Sequence, residues 1–361
     1  MFGTASAQPT PSRPSLVLRP FRHLLALCLF ILLAHVAAEA EIRNPYATVD
    51  WQWRQHRANL HTHTTESDGQ WAPDRVIDAY HELGYTILAL ADHNRVSYPW
   101  SRWDRNPESL GMLAVQANEL SRGHHVGSYF SDLNAGRGLT DNVEEVGKAG
   151  GIAVVFHPGR YTRRDNYDVD DYVAVYQANP HAVGLEIVNQ RDRYPEDRAT
   201  WDAILTRLMP ERPVWGFAND DFHRPQHLGR SWTMFPLPAL TLARFRQAMV
   251  DGAFYSMARD MTRSEERDAD MMPPTIRSIT VEGRAIRIDA EGAEGIVWIS
   301  AGTEVHRGPV LDTGRQPDLT GYVRAELYNA GGTTFTNPFG LVQAGSARPA
   351  NVPWARPAPA P

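Results

Sequence analysis

The chain has 361 residues, of which 42% are hydrophobic and 22% are charged, and its formal net charge is −6. This length accommodates one large domain and a smaller one, and the composition is that of a soluble globular protein rather than a disordered or fibrous one. The acidic balance argues against an extended surface that coats nucleic acid, but it allows a small anionic substrate held by local arginines.

The first forty residues have the composition of a secretory signal peptide. Arginines precede an apolar run from Leu24 to Leu33, and Ala38-Glu39-Ala40 offers a small-residue cleavage site. The run is short for a stable membrane span, so we expect residues 1–40 to be removed and the chain to be periplasmic or secreted, with no membrane attachment; retention as an anchor is the alternative. Cys28, the single cysteine, lies in this run, so the exported chain would lack disulfides and thiolate ligands.

Two histidines lie near the end of the first strand-like segment, at His61 and His63. Residues two apart on a strand point to the same face, so both imidazoles can reach one metal ion. Asp68 follows in a Ser-Asp-Gly turn that can bring a carboxylate over the same site. A half-exposed strand with outward polar residues is the alternative, but together these residues indicate the beginning of a metal centre.

The same pattern recurs along the chain, because further apolar runs carry residues of metal-ligand type at or near their C-terminal ends. The runs are 85–90, 113–117, 151–156, 183–187 and 214–218, and the polar residues are His93, Glu119, His157, Glu186, Asp221 and His223. These runs alternate with helical patterns at 73–83, 141–149 and 197–208, which predicts parallel β/α units. In a barrel of such units the strand ends converge on one mouth, where the scattered side chains would meet.

The motifs His61-Thr-His63, Asp68, Ala91-Asp-His93, Glu119, the histidine pair 124–125, His157-Pro and Asp221-Phe-His223 resemble those of the PHP (polymerase and histidinol phosphatase) superfamily of metallo-phosphoesterases. The resemblance covers roughly residues 56–260. It implies a distorted (β/α)7 barrel that binds two or three divalent metal ions, usually manganese, zinc or iron. The ligands it implies are His61, His63, Asp68, His93, Glu119, His124, His157, Asp221 and His223.

The histidine pair departs from the family pattern, which usually has one histidine after the glutamate. Adjacent residues on a strand point to opposite faces, so only one of the two enters the site easily. We expect this to be His124, because it directly follows Gly123; His125 is the alternative.

A metal-activated hydroxide would attack the ester in such a site. Asp68 and Asp221 are the candidate catalytic carboxylates. Arg160 is the candidate group that binds an anionic substrate, with a surface salt bridge as its alternative role.

The leading hypothesis is a phosphate-ester hydrolase. The signal sequence and the C-terminal β region are similar to exported CehA/McbA-like metallohydrolases, which implies carboxylic or carbamic esters instead. A metal-binding or interaction module without catalysis is the third reading.

The composition changes beyond about residue 272, where short alternating runs replace helical periodicity. We expect a barrel over residues 41–271, a small antiparallel β-sandwich over 275–343 and a disordered Pro/Ala-rich tail over 344–361. The sandwich is expected to cover the barrel and order its mouth.

Overall fold

The structure is a computed structural model that describes residues 1–3, 41–134, 136–164, 166–190, 192–259 and 271–342. Apart from residues 1–3, the expected signal peptide lies outside these ranges, as does the expected tail. The described residues from 41 onward belong to one compact unit. Within the described ranges, no helix combines the length and apolar character needed to cross a bilayer.

The helices form where apolar residues recur every three or four positions. In the helix that begins at Pro73, the side chains of Val76, Ile77 and Tyr80 are fully buried. Proline suits this first turn because its fixed φ is helical and its missing N–H would have no partner within the helix. The α-helices are Pro73–Glu82, Pro107–Leu110, Leu139–Lys148, Gly159–Thr162, Val169–Ala178, Glu196–Leu208 and Leu242–Asp251, and the 3₁₀ helices are Trp100–Trp103, Pro225–His227 and Thr313–Arg315.

The three expected helices are confirmed to within two residues at each end. The helix Val169–Ala178 was missed, although its start has a sequence signature. Asp168 accepts hydrogen bonds from the backbone N–H groups of Asp170 and Asp171, and the Asp171 side chain bonds back to the Asp168 N–H. This reciprocal arrangement is a capping box, which satisfies the free donors of a helix start.

Each of the six strand-like runs considered for the barrel is a strand in the structure. The strands are β1 Glu41–Arg43, β2 Gln55–Asn59, β3 Ile87–Leu90, β4 Leu113–Leu120, β5 Val126–Tyr129, β6 Ile152–Val155, β7 Ala182–Asn189, β8 Trp215–Asn219, β9 Ser231–Pro236, β10 Tyr255–Arg259, β11 Thr275–Glu282, β12 Ala285–Glu291, β13 Gly295–Ser300, β14 Thr303–Arg307, β15 Val310–Asp312, β16 Tyr322–Asn329, β17 Gly332–Thr336 and β18 Phe339–Val342. Strands β3, β6 and β8 are buried along their whole length, as expected of strands covered on both faces.

The region expected to form the barrel is a mixed sheet with the strand order β9, β2, β3, β4, β5, β6, β7, β8. Strands β2, β3 and β4 pair in parallel, as do β6, β7 and β8. Beyond the ends of β2 and β8, Thr62 and Phe222 form a parallel bridge, and the Thr233 hydroxyl of β9 donates to the Ala218 carbonyl of β8. These contacts bring the two ends of the run together and gather the carboxyl ends of its parallel strands.

The expectation of uniformly parallel β/α units is wrong at β5, which runs antiparallel to both β4 and β6. Only residues 121–125 separate β4 from β5. A parallel connection needs a crossover of a dozen or more residues, so a link this short returns the chain in the opposite direction.

The C-terminal strands form two antiparallel layers with a shared core. One layer is the separate sheet β11, β12 and β15, and the other contains β13, β14, β16, β17 and β18. Ile279 and Ile288 from the first layer belong to the same buried cluster as Trp298 and Val323 from the second. The C-terminal strands are therefore antiparallel, as predicted.

The expected boundary near residue 272 does not separate two sheets. Strand β17 pairs with β10 along five residues, and β18 pairs with β1. The C-terminal strands therefore extend the sheet of the barrel region.

Candidate metal centre

His61 and His63 lie just beyond the end of β2 with their imidazoles on one side, as their spacing predicts. Both side chains are fully buried, and their Nε2 atoms are 3.1 Å apart. The Nδ1 atom of His61 points away from this meeting point, toward Glu186 Oε1 at 2.8 Å. Two ring nitrogens are thereby directed at one small volume.

Asp221 and Glu119 complete that volume with oxygen atoms. Asp221 Oδ1 lies 3.1 Å from the Nε2 atom of each of these two histidines. Glu119 Oε2 lies 3.4 Å from His61 Nε2 and 3.3 Å from His63 Nε2. Asp221 has a φ of +44°, an uncommon conformation for a residue with a side chain, and such strained residues cluster at functional sites.

Glu119 also connects this group to three further histidines. Its Oε1 atom is 2.6 Å from His125 Nδ1 and 3.2 Å from His157 Nε2, while Oε2 is 2.9 Å from His93 Nδ1. The backbone explains why His93 is close to Glu119. Glu119, near the end of β4, forms a parallel bridge with His93, which follows β3. One carboxylate therefore lies between two groups of imidazoles.

Asp68 lies at the outer edge of the cluster, with its side chain 53% exposed. Its Oδ2 atom is 3.4 Å from both His93 Nε2 and His223 Nε2, and its Oδ1 atom is 3.6 Å from His63 Nδ1. The Ser-Asp-Gly turn thus places the carboxylate over the site as expected.

These side chains form four overlapping groups whose potential ligand atoms lie within 4.8 Å of one another. The groups are His63, Asp68, His93 and His223; His61, His157 and Asp221; His61, His63 and Glu119; and His93, Glu119 and His125. Nitrogen and carboxylate oxygen ligands of this kind suit manganese, iron and zinc. Shared members would allow neighbouring cations to be bridged by one carboxylate.

The unpartnered atoms of the cluster fit a cation. Asp221 Oδ1 and His93 Nδ1 are buried without an aligned hydrogen bond, although each lies about 3 Å from another polar atom. His63 Nε2 faces a ring nitrogen and two carboxylate oxygens at once, and a single proton cannot satisfy all three. A divalent cation accepts all of these lone pairs.

The carboxylates of the cluster are held in their ionised form. Burial alone would raise the pKa of Glu119 and of Asp221, but the surrounding imidazoles lower both well below their usual values. Burial would lower the pKa of His93, yet Asp68 and Glu119 raise it to about 10. A cation therefore competes with protons for this ring.

Glu186 supports the cluster from behind and is fully buried. Besides facing His61, it accepts hydrogen bonds from the His157 backbone N–H and the Asn189 and Asn219 side chains, at 2.9 to 3.0 Å. Such partners fix the tautomer and orientation of a ligating histidine. Glu186 therefore orients His61 so that Nε2 faces the centre.

The turn that carries His157 requires a glycine. A Cβ atom on Gly159 would lie 2.7 Å from the Asp197 backbone nitrogen and 2.8 Å from its Oδ1 atom. The Gly159 N–H donates to that carboxylate at 2.5 Å, at the start of the helix Glu196–Leu208. The close approach anchors the loop in which His157 adopts a φ of +30°.

Of the two adjacent histidines, His125 lies in the cluster and His124 does not, so the expectation is corrected. His124 Nδ1 donates to the His125 carbonyl at 2.9 Å, and its Nε2 accepts from the Tyr172 hydroxyl at 2.8 Å. The ring stacks on Tyr161 at 3.9 Å and is neutral, because burial lowers its pKa well below the usual value. The glycine before His124 turns the chain, and the alternation of side chains then directs His125 inward.

The two histidines should respond differently to substitution. We expect His125→Ala to lower cation affinity by at least about 100-fold, because it removes a candidate ligand that contacts Glu119. His124→Phe keeps the stacked ring and should lower the melting temperature while the folded protein retains its full cation content. Metal analysis of both purified variants measures this, and full cation content in His125→Ala would refute the corrected assignment.

A cavity of about 360 Å³ opens over the cluster. Arg160 lines it as predicted, beside four residues that the sequence analysis missed: Ser121, Arg164, Arg193 and Tyr194. Arg193 and Tyr194 follow β7, the strand that carries Glu186. They therefore lie just after a strand end, like the candidate residues that the sequence pattern identified.

Every residue lining the cavity lies between 68 and 223. The expected role of the C-terminal region in ordering the mouth is therefore not supported for the residues that the structure describes.

No protein-family model and no curated protein matches the sequence. Solved structures do match. A two-domain protein from Bacteroides vulgatus ATCC 8482, containing a predicted PHP-like metal-dependent phosphoesterase, is 17% identical over 82% of this chain and 89% of that chain, with a TM-score of 0.49. An amidohydrolase from Chromobacterium violaceum with bound sulfate and no metal is 18% identical over 54% of this chain and 96% of that chain, with a TM-score of 0.39. The lesion-specific endonuclease PfuEndoQ from Pyrococcus furiosus is 14% identical over 54% of this chain and 56% of that chain, with a TM-score of 0.38. The solved structures to which this chain is similar thus include a PHP-like metal-dependent phosphoesterase.

Proposed function

We propose that this chain is a metal-dependent hydrolase of the PHP type that cleaves phosphate esters. The observation that carries the proposal is a cluster of six histidines and three carboxylates from separate strand ends and loops, in which four of the histidines and all three carboxylates line one cavity. All the ligands implied by the motif resemblance except His124 belong to this cluster, and His125 takes the place of His124. The curved sheet from β2 to β9 is, on the same proposal, a distorted (β/α)7 barrel whose mouth is this cavity.

His61, His63, Glu119 and Asp221 would hold one cation, and His93, His125, His157, Asp68 and His223 would supply the remaining ligands. When bound, divalent cations of the manganese, zinc or iron type would supply Lewis acidity and a deprotonated water near neutral pH. Glu186 keeps the His61 ring oriented, as described above. Asp68 is half exposed between His93 and His223 and lines the cavity, so it is the carboxylate of the cluster that a bound substrate can approach most easily.

The charge of the cavity favours an anionic substrate. Asp68, Glu119 and Asp221 are balanced by three arginines that line the same cavity, and Glu186 behind them adds one negative charge. With histidines as neutral ligands, two divalent cations would leave about three positive charges uncompensated. A phosphate monoester neutralises most of this excess, whereas a neutral carboxylic or carbamic ester neutralises none. The charge balance therefore favours phosphate esters over the esters implied by the CehA/McbA resemblance.

Arg160 is the proposed contact for the substrate phosphate. It lies partly buried in the cavity wall, with its guanidinium 5.7 Å from the Tyr161 ring centre. A charge-assisted hydrogen bond contributes about 1.5–3 kcal/mol, so Arg160→Ala should raise KM for anionic substrates by about 10- to 100-fold. Steady-state kinetics measure this, with the exposed Arg207→Ala as matched control. An unchanged KM in Arg160→Ala would contradict the assignment.

Assays of manganese-, zinc- and iron-loaded protein test the function itself. The substrates are p-nitrophenyl phosphate, bis-p-nitrophenyl phosphate, naphthyl esters and a single-stranded oligonucleotide. We expect turnover of the monoester with the highest kcat/KM. Preference for naphthyl esters would select the carboxylic-ester reading, and preference for the oligonucleotide would overturn the small-substrate proposal. Full cation content with no turnover of any substrate would support a non-catalytic module.

We also propose that the chain is exported and loses residues 1–40. The arginines before the apolar run and the small residues after it support this. Amino-terminal sequencing of protein from the extracytoplasmic fraction should begin at Glu41. An intact amino terminus at Met1 in that fraction would contradict cleavage.

A further inference from the structure

Gln190 contacts the candidate metal carboxylate Asp221 directly. It follows the last residue of β7, and its Nε2 atom donates to Asp221 Oδ2 at 3.0 Å and to the Asp221 carbonyl at 2.9 Å. Its φ is +43°, which is uncommon for a residue other than glycine. Such a conformation persists only where surrounding contacts hold it. No sequence motif pointed to this residue.

The contact leaves the two oxygens of Asp221 in different environments. Oδ2 accepts the Gln190 hydrogen bond, whereas Oδ1 is buried, has no aligned donor and lies 3.1 Å from the Nε2 atoms of His61 and His63. The free lone pairs of Oδ1 therefore point to the place where the imidazole lone pairs also meet. A carboxylate held in this way presents one oxygen to a cation rather than both.

Arg193 determines which end of the Gln190 amide faces Asp221. Its Nη1 atom donates to Gln190 Oε1 at 3.0 Å. Arginine only donates hydrogen bonds and an ionised carboxylate only accepts them, so the amide has one orientation that satisfies both neighbours. Arg193 also lines the cavity, and its guanidinium lies 5.2 Å from the centre of the buried Tyr194 ring. The chain of contacts thus runs from the cavity wall to the metal carboxylate.

We propose that Gln190 is a positioning residue that presents Asp221 to a divalent cation through Oδ1 alone, and that Arg193 fixes the Gln190 amide in the orientation this requires. The inference rests on the metal centre of the proposed function and identifies a residue outside the motif set. Partners of metal ligands commonly contribute a factor of 10–100 in metal affinity. Gln190 acts through Asp221 and does not itself touch the cation.

The test is cation affinity in the full-length protein without substrate. Metal-free protein is titrated with Co²⁺ and with Mn²⁺, and the Co²⁺ absorption spectrum is recorded because it reports the coordination of the ion. Gln190→Met keeps the length of the side chain but has no amide donor, and Gln190→Ala removes the side chain. Both variants are expected to bind 10- to 100-fold more weakly and to change the Co²⁺ spectrum, while the melting temperature of the metal-free protein stays within a few degrees of the parent.

Two further variants separate positioning from packing. Gln247→Ala is the matched control, because Gln247 donates to the Asp251 carboxylate on an exposed helix surface away from the cavity. It is expected to leave cation affinity unchanged. Arg193→Met should reproduce part of the Gln190→Met loss, since the amide can then rotate.

The outcomes also separate this inference from the proposed function. If the parent binds Co²⁺ and both Gln190 variants bind it with parental affinity and spectrum, the positioning role is overturned and the metal centre stands. If Gln190→Ala weakens binding but Gln190→Met does not, packing replaces donation as the cause and the inference fails. If the parent binds Co²⁺ and both Gln190 variants bind it more weakly, but the parent hydrolyses no ester, the proposed function is overturned and the role of Gln190 stands.

Discussion

Replacement of His61 and His63 together by alanine is expected to remove bound cation and to lower kcat/KM by at least about 10³-fold. Both imidazoles belong to the group that includes Glu119, and His61 also belongs to the group with His157 and Asp221. Their loss leaves the buried Glu119 and Asp221 carboxylates without the two imidazoles that each of them contacts at 3.1 to 3.4 Å. Metal catalysis supplies several kcal/mol of transition-state stabilisation, and about 4 kcal/mol corresponds to a thousandfold in rate.

Elemental analysis and steady-state kinetics on the purified double variant measure this result. The matched control is the double substitution His81→Ala/His306→Ala, which removes the same number of histidines from outside the cluster of candidate ligands. The control should retain parental cation content and activity. Parental cation content in His61→Ala/His63→Ala would refute the ligand assignment at the point where the sequence pattern is strongest.

Replacement of Arg324 by methionine is expected to lower the free energy of unfolding by about 3–5 kcal/mol. Arg324 lies on β16 and is 2% exposed. Its Nε and Nη2 atoms donate to Asp202 at 2.8 and 2.6 Å, and its Nη1 donates to Glu326 at 2.6 Å. Methionine fills most of the space but leaves the buried Asp202 carboxylate without its charge partner.

This ion pair joins the C-terminal layers to the helix Glu196–Leu208, which also carries the carboxylate that anchors the His157 turn. Chemical denaturation of the metal-free protein gives the free energy of unfolding. Arg307→Met is the control, since Arg307 forms an exposed ion pair with Glu304 and such pairs contribute little. The double substitution Arg324→Met/Asp202→Leu should recover part of the loss, because it removes both charges. Equal stability of Arg324→Met and the parent would show that the buried pair is not required.

The strand ends were predictable because they depend on local properties. Buried strands need apolar runs, and the polar residues that follow β3, β6 and β8 stand out against those runs in the sequence. The spacing of His61 and His63 predicted their shared face for the same reason, since it depends only on the two-residue repeat of a strand. The capping box at Asp168 was equally local and was overlooked.

The choice between His124 and His125 was not predictable from the local pattern. Alternation required one to face inward, but which one depends on where β5 begins and on how residues 121–125 turn after β4. The packing partners of His124 are Tyr161 and Tyr172, and both lie on helices that follow much later in the chain. Their positions decide the outcome through contacts that no sequence spacing records.

The sequence by itself determined the chemical character of this protein: a succession of buried strands and helices, and histidines and carboxylates placed at strand ends, where a metal centre is favoured. Only the tertiary structure decided that β5 reverses direction, that the C-terminal strands extend the mixed sheet, and that Gln190, bound by Arg193, donates to Asp221. The physical reason is the range of the interactions. Hydrophobic periodicity and turn chemistry act between near neighbours in the chain, whereas the orientation of a ligand is set by hydrogen bonds between loops that meet only after the sheet has curved.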